Sequence, residues 1–263
     1  AEAAPLTVSR EDGEVVRLVL DRPAVRNALD PGLVTALHDA LDAIAQDGSV
    51  RAVVLEGRGP HFCAGADLAW MQRLAAGDPA ANLADAEALA ALLHRLDTLD
   101  RPTLARVQGA ATGGGLGLVA CCDLVLADAG AVFALSEVRL GLIPAVIAPY
   151  VVAALGPRAA RRYALTGERF DAATAQGLGL VHEVGPAAEL DSRLAARLAE
   201  LRGNGPEALG EAKRLIRDVA GAPRDAALRH ETARRNAERR GSAEAREGIA
   251  AFLEKRQPWW SAG

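Results

Sequence analysis

Near the start of the chain a strand, a helix and a second strand follow one another, and that order limits the fold more than any other feature. "EVVRLVLDRP" (14–23) alternates and is rich in Val and Leu, which predicts a strand. "DPGLVTALHDALDAIAQD" (30–47) opens with Asp then Pro, an N-cap followed by an N1 proline, and repeats apolar residues at helical spacing. "RAVVLEG" (51–57) predicts the next strand. Strands joined through a helix run parallel with a right-handed crossover. The pattern recurs: "PTLARVQG" (102–109) and "DLVLAD" (123–128) read as strands, and "AVFALSE" (131–137) as a short strand ending at a charged residue. Further helices are expected from about residue 145, and "FDAATAQGLGLVHEV" (170–184) reads as a capped helix, a glycine stop and a strand. From about Pro186 strand signals vanish and Ala, Leu, Arg and Glu dominate, with helices expected over 186–202, 206–220, 224–240 and 242–256. The expectation is an α/β core over 1–185 and a helical region over 186–263. The amphipathic helices of that region must bury their apolar stripes on the core or on a neighbouring subunit.

Composition excludes several function classes. With 263 residues, half of them hydrophobic, the chain can bury a full core. A net charge of -4 gives no nucleic-acid signal, and the basic residues are nearly all Arg, with only Lys213 and Lys255 as lysines. Cys63, Cys121 and Cys122 form neither a disulfide framework nor a zinc spacing. Residues 1–10 lack a charged start followed by an apolar block, so a reducing, cytoplasmic setting is expected. No apolar run reaches the length of a membrane span. His38, His61, His94, His182 and His230 are scattered, and no metal site is expected.

Two glycine loops carry the chemistry. "GRGPHFCAGADL" (57–68) and "QGAATGGGLGL" (108–118) each follow a strand and open a helix. Such loops leave backbone N–H groups free at a helix start, where they suit an anion. Two loops from successive βα units can aim two N–H groups at one oxygen, an oxyanion hole worth roughly 10²–10³ in rate per donor. Tight turns with close helix packing are the alternative. "GGGLGL" lacks the context of a dinucleotide fingerprint, and no Gly-Lys-Ser/Thr of a P-loop occurs. An interior glycine costs about 0.5–1 kcal/mol relative to alanine, so Gly117, one turn into the apolar run, needs a reason of its own.

"HFCAGADLAWM", "GGGLGLVACCDLVLAD" and "FALSEVRLGLIPA", with "LDRPAVRNAL" and "FLEKRQP" near the two ends, resemble the crotonase superfamily, the enoyl-CoA hydratases and isomerases, over nearly the whole chain. The resemblance implies a crotonase-like ββα spiral core with a C-terminal helical region. It implies that the amides of Ala66 and Gly114 hold a thioester oxygen, with coenzyme A as part of the substrate and no separate cofactor. "RPAVRNAL" matches the segment lining the CoA path, with Arg26 as a phosphate contact, Ala24 and Ala28 near the adenosine and Ala64 alongside. Phe252 and Lys255 match positions that reach a neighbouring subunit's CoA, and a homotrimer or homohexamer is implied. Asp67 fixes its loop or caps the helix that starts there.

Hydratases of this superfamily usually carry two glutamates. Glu137 in "LSEVRLG" matches one, and Gly117 stands where the other would be, leaving space and one fewer proton-transfer group. Apolar neighbours on both sides predict a partly buried Glu137 with a raised pKa. A single carboxylate could hold water for addition to Cβ and return a proton to Cα; it would equally support double-bond isomerisation. "SEVRLGLIPAVIAPYVV" resembles the branch that hydrates 3-methylglutaconyl-CoA in leucine degradation, with the isohexenylglutaconyl-CoA branch as an alternative. Both substrates carry a carboxylate, for which Arg139, Arg73 and His94 are candidates by position. Residues 67–96 are expected to form a helical wall over the acyl pocket, lined by Trp70 and Met71. The open readings are a hydratase, an isomerase and a non-catalytic CoA-binding protein.

Overall fold

In the computed structural model, which describes residues 4–261, the chain opens on a hairpin that the alternation pattern does not reveal. Strand β1 (Leu6–Glu11) is exposed along most of its length, so it lacks a buried face to mark it. It turns at Asp12 and Gly13, both at positive φ (51° and 73°), and pairs antiparallel with β2 (Val15–Leu20). Helix α1 (Pro31–Gln46) follows, with Asp30 accepting a hydrogen bond from the Leu33 amide at 2.8 Å and Pro31 at its first position. Its Leu33, Leu37, Leu41 and Ile44, spaced three or four apart, are buried.

The helix leads to β3 (Ala52–Gly57), parallel to β2. The wall expected over 67–96 is two helices, α2 (Leu68–Ala75) and α3 (Pro79–Thr98), because Ala76 and Gly77 end the first and Asp78 caps the second ahead of Pro79. Strand β4 (Thr103–Val107), the short β5 (Ala110–Thr112), α4 (Gly114–Ala120) and β6 (Leu124–Asp128) come next. The strand expected over 131–137 stops early: β7 covers only Val132–Ala134, and Glu137 opens a separate 3-10 turn, Glu137–Leu140. Helix α5 (Ala148–Thr166) is kinked at Gly156–Pro157 and leads to β8 (Arg169–Asp171), α6 (Ala172–Gly177) and β9 (Glu183–Gly185).

Six strands form one sheet in the order β1-β2-β3-β4-β6-β9, parallel from β2 onward; β5, β7 and β8 form a second. This is the ββα spiral. The main core fills the space between the sheets, α1, α3, α4 and α5. Helix α7 (Leu190–Arg202) closes the other face of the large sheet: Leu190, Leu194 and Leu198 pack on Val15, Val54, Leu104 and Leu126.

Three α-helices follow, α8 (Pro206–Val219), α9 (Ala226–Arg240) and α10 (Ala243–Glu254), and then a 3-10 turn, Trp259–Ser261. Buried Glu244 accepts from the Glu207 and Ala208 amides at 2.9 and 2.8 Å, so a side chain from α10 caps α8. The 1–185 and 186–263 regions extend at their outer ends past the described residues. No helix among the described residues is long and apolar enough to cross a membrane.

Candidate functional site

The first glycine loop becomes an extended segment held on both sides. On one side the Phe62 amide donates to Gln108, the Cys63 amide to Ala110, and the Thr112 amide to Cys63, at 2.8–3.0 Å. On the other side lies the strap 22–30, in which the Leu29 amide donates to Gly65 at 2.7 Å and the Asp67 amide to Leu29 at 2.8 Å. In a planar trans peptide the C=O and N–H point in opposite directions. The Gly65 carbonyl points at Leu29, so the Ala66 N–H of the same peptide points the other way, toward the second loop.

That second loop comes very close. Gly113, the residue before α4, has φ +52°, a left-handed value that favours glycine. A Cβ built on Gly115 would lie 2.3 Å from the Cys63 carbonyl oxygen, and one built on Gly65 3.6 Å from the Gly114 nitrogen. Gly115 is therefore a packing requirement between the two loops, while a Cβ on Gly114 would meet Leu29 Cδ1 of the strap at 2.8 Å. Among the described residues, neither the Ala66 nor the Gly114 amide donates to a protein acceptor, which leaves both available to a ligand.

Glu137 faces this junction. Its Oε1 is 3.1 Å from where a Gly113 Cβ would be, and its Oε2 is buried without a hydrogen-bond partner. Burial raises its pKa above the ordinary 4.5, only partly offset by its own backbone amide.

The reason for Gly117 corrects the expectation of vacant space. A Cβ there would lie 2.3 Å from Ile147 Cγ2 and 3.7 Å from Leu93 Cδ2. Ile147 is 3% exposed, so an isoleucine from the start of α5 fills the volume that the missing side chain would need. The glycine within α4 is the counterpart of that isoleucine. Thirty residues separate the two in sequence, and no local pattern links them.

The other singled-out residues fall into three groups. On the strap, Ala24 and Arg26 are exposed, Arg26 and Asn27 both at φ +55°, while Ala28 is buried with its carbonyl accepting from Arg22. The Ala64 amide donates to the Arg26 carbonyl at 3.0 Å. On the wall, Trp70 and Met71 are half-buried. Trp70 Nε1 donates to Asp85 at 2.8 Å, tying α2 to α3, and Arg73 stacks over its ring at 5.1 Å. Asp67 caps α2, accepting from the Trp70 amide at 3.1 Å.

The third group lies elsewhere. Arg139 is exposed and runs alongside Gly167 at the end of α5, with its Nε 3.0 Å from where a Gly167 Cβ would be. His94 is exposed on α3, and its carbonyl accepts from the Thr98 hydroxyl at 2.7 Å. Phe252, 83% exposed, and Lys255 belong to the tail. That tail packs where β3 begins, since Arg51 donates to the Trp260, Arg202 and Asn204 carbonyls at 3.0–3.3 Å. The glycine loops lie beyond the other end of the strands. Within one chain, Trp260 and the turn at 202–204 thus lie at the end of the sheet opposite to the glycine loops. Sequence reasoning missed Arg22, whose contacts span the strap and the α2 cap.

A ββα spiral with two interlocked glycine loops and a partly buried carboxylate at their junction defines the crotonase class of fold. The family model described as enoyl-CoA hydratase/isomerase matches residues 10–263, and the chain belongs to that family. It is 37% identical to the 2,3-dehydroadipyl-CoA hydratase of Escherichia coli over 256 residues, 96% of this chain and 97% of that protein. An enoyl-CoA hydratase from Shewanella pealeana superposes with a TM-score of 0.94 at 41% identity, covering 97% of this chain and 96% of the other. Pseudomonas aeruginosa AtuE superposes with a TM-score of 0.93 at 40% identity, covering 98% and 99%.

Proposed function

We propose that this protein is an enzyme that hydrates a branched, carboxylated 2-enoyl-CoA of the 3-methylglutaconyl type to the 3-hydroxyacyl-CoA. The observation that carries the reading is Glu137: a buried, unpartnered carboxylate oxygen at the junction of the two glycine loops. The amides of Ala66 and Gly114 hold the thioester oxygen as it gains charge, where preorganised donors act most strongly. Glu137 takes a proton from water as the hydroxyl adds to Cβ, and the resulting carboxylic acid gives a proton to Cα. Its raised pKa suits both halves of that exchange. The E. coli relative is named for a dehydroadipyl-CoA, a carboxylated enoyl thioester, which supports that substrate class.

Coenzyme A, part of the substrate, runs along Ala24, Arg26, Ala28 and Ala64. The wall of Trp70 and Met71 covers the acyl group, and Arg139 is the candidate for its free carboxylate. Phe252 and Lys255 reach the CoA of a neighbouring copy in a homotrimer or homohexamer, a reading supported by the exposure of both. The three free, buried thiols accord with a reducing cytoplasm.

Incubation with 3-methylglutaconyl-CoA and, separately, 3-hydroxy-3-methylglutaryl-CoA tests the reading, with interconversion expected. Ile147 over Gly117 leaves one carboxylate at the junction, and this favours double-bond isomerisation as a second reading. Turnover of 3-enoyl-CoA thioesters alone would select it, and CoA binding without turnover would make the protein a non-catalytic binder.

A further inference from the structure

The Ala66 amide is the end of a hydrogen-bond chain that begins at a half-buried arginine. Arg22 has a side chain only 20% exposed. Its Nη1 donates to the Ala28 carbonyl, and the amide on the other end of that peptide, Leu29 N–H, donates to the Gly65 carbonyl at 2.7 Å. The amide on the other end of that second peptide is Ala66 N–H. Guanidinium, peptide 28–29 and peptide 65–66 therefore stand head to tail, with every donor pointing toward the site.

The arginine is held in place for this. Its Nη2 is 2.9 Å from Asp30 Oδ2 and 3.1 Å from Asp67 Oδ2, the two carboxylates that cap α1 and α2. Hydrogen bonds from the Trp70 amide and from Arg22 lower the pKa of Asp67. The strap itself is over-determined. Arg26 and Asn27 sit side by side in the left-handed region, which side chains rarely adopt. Fully buried Asn27 holds them there, accepting from the Arg22 amide at 2.8 Å and donating to the Arg58 and His61 carbonyls at 3.0 and 2.9 Å.

The second amide is backed differently. The carbonyl of its peptide, Gly113, accepts from the Gly117 amide within the α4 turn at 3.1 Å, whereas the Ala66 chain starts at a guanidinium.

We infer that Arg22 is a positioning residue for the reaction: through two aligned peptides it orients and polarises the Ala66 N–H that holds the thioester oxygen. Aligned hydrogen bonds polarise one another in a low-dielectric interior, and the chain starts at a charge-assisted guanidinium donor whose direction Asp30 and Asp67 fix. The inference rests on the reading of Ala66 and Gly114 as the oxyanion pair. It assigns Arg22 no contact with substrate, so its loss lowers kcat far more than it raises KM.

The test is isotope-edited infrared spectroscopy of bound [1-13C]butyryl-CoA, a saturated thioester that cannot react. In the wild type the labelled carbonyl stretch falls on binding. In Arg22→Met that fall shrinks, and kcat with the enoyl substrate drops roughly 10- to 100-fold with KM within about threefold. Arg22→Lys, which keeps the charge but loses the fork, recovers part of both. If Arg22→Met proves unfolded by circular dichroism, Arg22→Lys alone decides, with an intermediate shift expected. A carbonyl shift in the folded variant equal to that of the wild type, or a raised KM at unchanged kcat, overturns the inference. A wild-type complex that binds butyryl-CoA without any shift overturns the oxyanion reading beneath it.

Discussion

The two glycine loops meet at one point but are held by opposite means. The second, 110–117, is fixed by close packing: a short strand, a turn of helix and glycines whose missing side chains admit Cys63 and Ile147. The first, 62–67, is fixed from afar, by the strap 22–30, by Asn27 and by the charge of Arg22. One loop thus depends on the absence of atoms, the other on a network of polar groups. Perturbing the first kind raises steric strain. Perturbing the second kind alters the direction and strength of a hydrogen-bond donor while the fold survives.

Glu137, where the loops meet, gives the largest expected effect. Glu137→Gln should lower turnover about 10²–10⁴-fold with CoA affinity nearly unchanged, measured by steady-state kinetics and calorimetric titration. Because burial raises the Glu137 pKa, ionisation costs stability once the pH exceeds the ordinary value of 4.5. The substitution should therefore raise the melting temperature at pH 7, and the gain should fade as the pH falls from the raised native pKa toward 4.5. Wild-type kcat/KM should fall with acid over a range above that of an ordinary glutamate.

Gly115→Ala comes next, since its methyl would meet a backbone carbonyl that cannot turn aside. Overpacking of this kind costs about 1–3 kcal/mol or more, read from denaturant unfolding. Gly117→Ala meets a side chain instead, and Ile147→Ala in the same molecule should relieve part of its cost. Additive losses in that double-mutant cycle would mean the two positions do not share a volume. On the polar side, Asn27→Ala leaves buried groups without partners and should cost about 1–3 kcal/mol while lowering kcat. Arg139→Ala, on the exposed surface beside Gly167, should leave stability unchanged and raise KM only for carboxylated substrates.

This contrast also explains what the sequence could carry. Helix α1 was legible because Asp30, Pro31 and four spaced leucine or isoleucine positions are all local signals. Strand β1 was not, because an exposed edge strand has no alternating face; only Asp12–Gly13 marked its turn. The three-residue strands β5, β7 and β8 are too short for a period to mark their ends, so the apolar run carries on to Glu137 although the strand stops at Ala134. Within the site, the glycines announced two close-packed loops. Their partners did not: Ile147 is 30 residues from Gly117, and Arg22 is 45 from Asp67. A glycine records that something approaches, and the chain between them hides what it is.

A crystal structure with a saturated acyl-CoA bound tests the central claim most directly. The account predicts the thioester oxygen about 2.7–3.1 Å from both the Ala66 and Gly114 nitrogens, with the acyl Cα and Cβ over the Glu137 carboxylate. A thioester oxygen bound to neither amide, or an acyl chain running away from Glu137, would contradict it.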